Sequence, residues 1–106
     1  MLGVIVLAGT AAFLLVLVTL CAVGVIPPNG AAGIRIPALL ASDHAWRTGH
    51  RAAIVPTAIG TAAAAAVVLL CVLHPPIQSF GTGLELGVVV LSLLWAVIRA
   101  NKAAQS

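Results

Sequence analysis

Charge is the scarcest commodity in this sequence. Its 106 residues include five Lys or Arg and two Asp or Glu, so 7% are charged against 62% hydrophobic. A soluble domain is about a quarter charged because its surface must face water. A water-exposed globule is therefore excluded, and the long apolar runs belong in lipid. Nucleic acid is excluded as a partner, since five scattered cations cannot make the many phosphate contacts of one binding face. Catalytic patterns are missing too. There is no G-x-S-x-G, no phosphate-binding glycine loop and no cofactor signature. Paired carboxylates are absent, because Asp43 and Glu85 are expected on opposite membrane faces. The expectation is a non-enzymatic membrane protein.

What the chain does contain is three apolar runs. The first covers 2–26, long enough to cross a hydrocarbon layer of about 30 Å, and Pro27-Pro28 should end it. It is too long for a signal-peptide core and reads as a retained helix. The second covers 52–73 and the third 83–99, separated by a turn over 74–82 and followed by a short tail at 100–106. Only helices suit such spans, since an unpaired strand edge is not tolerated in hydrocarbon. The fold class is an all-α membrane protein of three transmembrane helices. A polar, partly helical loop over 27–51 joins the first two, and the whole chain is one membrane domain.

Topology follows from the cations. With three spans, the 27–51 loop and the C-terminus share a side, and that side carries Arg35, Arg47, Arg51, Arg99 and Lys102, every basic residue in the chain. The positive-inside rule then puts the loop and C-terminus in the cytoplasm and the N-terminus outside. Cys21 and Cys71 fall near opposite ends of their spans, beyond the Cα separation of roughly 7 Å that a disulfide permits. Both read as small packing residues.

Ser42-Asp43 is a helix start: the hydroxyl caps free amides and the acid favours the positive end of the dipole. A helix from there runs through Trp46 and His50 toward the second span, with Asp43, Arg47 and His50 on one face. Two readings stay open. Trp46 is an interfacial anchor, the arginines touch lipid phosphates and Asp43 pairs with Arg47, or the segment is a recognition element built on Arg35, Trp46 and His50. Metal is not expected, because His44 and His50 point in different directions and His74 lies across the membrane. Glu85 is expected within one turn of the end of the third span, solvated at the interface, with a small carrier as the alternative role. Gly60 should pack helix against helix. Gly83 and Gly87, a G-x-x-x-G pair, should either do the same within the chain or dock another membrane protein.

Taken together, Asn29, Gly33-Ile34-Arg35-Ile36-Pro37, Ser42, Trp46 and His50 resemble the signature of the SdpI family of small bacterial membrane proteins. That signature is similar to G-[IV]-R-x-P, a spacer, a Ser and W-x-x-x-H leading into a membrane helix. The resemblance spans most of the chain and implies a multi-pass protein of the bacterial inner membrane. The family's named member protects cells from a membrane-active peptide and signals its presence to a repressor. Asn29, Gly33, Arg35, Pro37, Ser42, Trp46, Arg47 and His50 become the candidate binding motif. Membrane lipids and another membrane protein, or a second copy of the chain, are the expected partners. A structural accessory subunit of a larger complex is the rival reading.

Overall fold

The computed structural model describes residues 1–105. The elements run α1 (Leu2–Ala22), α2 (Pro37–Leu40), α3 (Asp43–Leu73), a 3-10 turn (Pro75–Ile77) and α4 (Gln78–Ala104). Among the described residues no strand forms, and α1, α3 and α4 with its leading turn are each long and apolar enough to cross a membrane. The central element is α3. Its 31 residues rise about 46 Å, close to the 48 Å long axis of the molecule. Both α1 and α4 lean chiefly on α3 and touch each other less.

The three long helices make a tapering bundle held by small residues. Near the Pro75 end, Val4, Val67 and Cys71 form one buried cluster; Ala11, Ala64 and Val89 form the next. Close approach needs glycine at two crossings. A Cβ on Gly60 would lie 2.5 Å from that of Ser92, and one on Gly81 would lie 2.8 Å from Cys71 Sγ. Gly60 therefore packs α3 against α4 as its position predicts. The Thr61 hydroxyl adds a polar link, donating to the Ala11 carbonyl of α1 at 3.2 Å and to Thr57 of its own helix at 2.8 Å.

Helix ends depart from the apolar runs. α1 stops at Ala22, before Pro27, because Gly24 takes φ +88°. The Val25 N–H then reaches the Leu20 carbonyl (3.0 Å) and the Gly24 N–H that of Cys21 (3.3 Å), closing a Schellman cap. At the far end the turn is shorter than the expected 74–82. Pro75 and Pro76 occupy the 3-10 turn, and helix resumes at Gln78, whose side-chain amide donates to the Cys71 carbonyl (3.1 Å) left open by the end of α3. Inside α3, Pro56 removes the bond to the Ala52 carbonyl without ending the helix. The Thr57 hydroxyl donates to the Ala53 and Ile54 carbonyls at 2.9 and 3.0 Å.

The longer α4 corrects the expectation for Glu85. Seven residues beyond Gln78, or about 10 Å along the axis, it lies on the buried stripe Gly81, Glu85, Val89, Ala96, Ala100 and has no exposed surface. Interfacial solvation does not hold, and neither carboxylate oxygen has a hydrogen-bond partner in the protein. A buried polar group left unpaired costs about 1–3 kcal/mol, whereas an apolar side chain of similar size carries no such penalty. Glu85→Leu is expected to raise the unfolding midpoint in detergent, by about 1–3 kcal/mol of stability. A lower midpoint means the carboxyl makes a contact that the bundle needs.

Candidate functional site

The segment between α1 and α3 folds back over one end of the bundle as a cap. Its entrance is dense in residues without a free N–H or without a Cβ, so side chains must organise it. Asn29 does this after Pro27-Pro28. Its Oδ1 accepts from the amides of Ala31 (2.8 Å) and Ala32 (2.7 Å), while its Nδ2 donates to the carbonyls of Pro27 (2.8 Å) and Ala32 (3.2 Å). This is the local turn chemistry at which Asn excels. Further on, Pro37 opens the single turn α2, with extended Ile36 before it. Ser42 caps α3 as its sequence position implies, accepting from the Ala45 N–H at 3.0 Å.

Two long-range hydrogen bonds fasten the cap, and a local one orients the ring that makes the second. The Trp46 indole Nε1–H donates to the Ile26 carbonyl at 2.8 Å. His50 Nδ1 lies 2.7 Å from the Trp46 carbonyl, and its Nε2 lies 2.9 Å from the Ile34 nitrogen. Those partners assign the ring: a carbonyl can only accept and an amide can only donate, so the proton sits on Nδ1 and the lone pair on Nε2. The Trp46 and His50 rings also meet, with centroids 4.3 Å apart at 53°. Both residues have no exposed surface. The reading of Trp46 as an interfacial anchor, and of the pair as outward-facing contact residues, gives way to one in which they form the inside of the cap.

Gly33 is where the cap meets the bundle. Its φ is +97°, and a Cβ there would lie 2.9 Å from Cys21 Sγ, 2.9 Å from His50 Nε2 and 3.0 Å from Trp46 Cη2. Conformation and space thus both demand glycine. Leu39 of α2 forms a second plug, fully buried in a notch left by Gly49, where a Cβ would be 2.5 Å from Leu39 Cγ. Neither Leu39 nor Gly49 belongs to the candidate motif. The one local signal was a glycine inside a helix, and nothing in the spacing linked it to a leucine ten residues earlier. Cys21, Val18, Ala53, Ala96 and Ala100 complete this cluster.

The charged residues are distributed differently. Arg35 is exposed on the cap, and Arg47 and Arg51 are exposed on the first turns of α3 beside it. Arg47 lies over Gly24, whose Cβ would come 2.9 Å from its Nε, and it makes no ion pair with Asp43. Arg99 and Lys102 line a recess beside Ala52, so all five cations gather at the cap end. Of the histidines, His44 is exposed beside Thr48 (3.5 Å), His50 is buried and His74 caps the opposite end of α3. Beneath the Gly33–Ile36 segment, between α1 and α4, lies a cavity of about 290 Å³ lined by Leu14, Leu17, Ile34, Arg35, Leu93 and Val97 among others.

A three-helix membrane bundle with a proline-rich loop folded into a rigid cap at its cationic end is the class that this geometry defines. Residues 25–100 match the family model of the SdpI/YfhL protein family, and the chain belongs to that family. No curated protein and no solved structure matches it. The matched region begins within the loop and takes in the rest of the cap, α3 and all but the last turn of α4.

Gly33→Ala adds a methyl group against three buried atoms at an unfavourable φ, each a cost of about 1–3 kcal/mol. The variant is expected to unfold at lower temperature in detergent and to expose Cys21 to a maleimide reagent that leaves the wild-type thiol unmodified. Wild-type stability together with a protected Cys21 would show the cap to be packed otherwise.

Proposed function

We propose that this protein confers resistance to, or senses, a membrane-active peptide at the inner leaflet of a bacterial cell membrane, with the cap as its working surface. Family membership supports the general role. The collection of every Lys and Arg at the cap end supports a cytoplasmic cap and C-terminus with the N-terminus outside. The observation that carries the reading is a division of labour within the motif. Asn29, Gly33, Ser42, Trp46 and His50 are spent on internal contacts, and Pro37 starts α2. Arg35 alone among the signature positions displays an exposed charge, on a loop segment whose backbone those contacts hold. Arg35 supplies the fixed cation of the recognition surface, and the role involves no chemical step.

The test is survival of cells making the protein, under challenge with a membrane-active peptide. Wild-type protein is expected to raise survival and Arg35→Ala to remove about ninetenths or more of that gain, as loss of one charge-assisted contact implies. Membrane abundance should stay unchanged. Equal protection by Arg35→Ala, or none by the wild type, overturns the proposal.

A structural accessory role is favoured by a separate observation. Gly83 and Gly87 have open space where a Cβ would stand, so their pair faces out of the bundle and serves none of the chain's own helix contacts. On that reading, Gly83→Leu with Gly87→Leu leaves the bundle folded and strips a co-purifying membrane protein from it. An unchanged set of co-purifying proteins removes this reading. Glu85 lines neither the cavity beneath Arg35 nor the recess beside Arg99, and so lends a carrier no support.

A further inference from the structure

The cavity beneath the Gly33–Ile36 segment has the chemistry of a lipid site. Its walls are Leu14 and Leu17 of α1, Leu93 and Val97 of α4, and Ile34 of the segment above. The Thr57 hydroxyl at its back is turned to the carbonyls of its own helix. Inside, therefore, little can satisfy a polar ligand group, and whatever enters must be hydrocarbon. An apolar space of about 290 Å³ between two helices has room for part of a single alkyl chain.

Depth and charge indicate what the chain is attached to. Counted from Leu73, a hydrocarbon layer of about 30 Å takes up about 20 residues of α3 and ends near Ala53. Thr57 then lies just within the layer, and the Gly33–Ile36 segment lies at its boundary, where lipid phosphates sit. Arg35 both lines the cavity and is exposed, and no hydrogen bond or ion pair holds its guanidinium. A planar cation at that height, above an apolar slot that opens between two helices, complements a phosphate whose acyl chain enters from the side.

We infer that the cleft between α1 and α4 binds an anionic phospholipid, with one acyl chain against Leu14, Leu17, Leu93 and Val97 and the phosphate on Arg35. The site shares Arg35 with the proposed function, but its test involves no peptide, so either can fail while the other stands.

The experiment is native mass spectrometry of the full chain released from mild detergent, titrated with phosphatidylglycerol or phosphatidylcholine of the same acyl chains. Phosphatidylglycerol is expected to bind about tenfold more tightly or better, a ratio within the reach of one charge-assisted contact. Arg35→Gln should erase that preference. Arg51→Gln, which removes an exposed cap-end cation away from the cavity, should retain it. Leu93→Trp fills the slot and should weaken both lipids; should it fail to fold, Val97→Phe replaces it. Equal binding of the two lipids overturns the inference. So does an Arg51→Gln loss as large as that of Arg35→Gln, which marks a general surface attraction, or wild-type binding by the filled variants.

Discussion

One imidazole ties the cap together. His50 takes a proton donor from the loop on one nitrogen and gives its own proton to α3 on the other, and both partners are main-chain groups. No other common side chain accepts and donates in opposite directions across a flat ring of that width. Protonated, the ring would set a donor against the Ile34 N–H; removed, it would leave that amide and part of the Trp46 surface without a partner. The other fastenings surround the ring. Gly33, at φ +97°, lies against His50 Nε2, and the Trp46 indole that donates to the Ile26 carbonyl has its centroid 4.3 Å from the imidazole. The backbone next to Arg35 is held as a consequence.

On the proposed function, this arrangement separates shape from recognition inside one short motif. Most signature residues are small, buried or hydrogen-bonded inward. On that reading, specificity falls to what the cap displays and to what its cavity admits. Such economy suits a chain with so few charged groups. In a bundle made mostly of alanine, valine and leucine, one exposed guanidinium on a held backbone is a large feature of the local field.

Much of the fold was legible because lipid imposes simple demands. Three apolar runs, cations gathered at one end and Ser42 before a helix each follow from a single local rule, and the structure carries all of them. The rest failed where composition and conformation part company. The residues after Ala22 stay apolar while the chain turns, because Gly24, one glycine among apolar neighbours, sets the turn. The glycine-rich start of α4 reads as a loop, yet it is helical from Gln78 and packs closely at Gly81, and so Glu85 ended deeper than expected. Spacing put Gly83 and Gly87 on one face without saying which way that face points. Trp46 among arginines reads as an interfacial anchor because the loop that covers it arrives from twenty residues earlier. A contact over that distance leaves no trace in local periodicity.

The central claim is the hydrogen bond from the Ile34 amide to His50 Nε2, and nuclear magnetic resonance can observe it directly. In nitrogen-15-labelled protein, a scalar coupling across that bond should link the Ile34 amide nitrogen to the His50 ring, with the ring proton found on Nδ1. Absence of the coupling, with the proton on Nε2 instead, would contradict the account of how the cap is held.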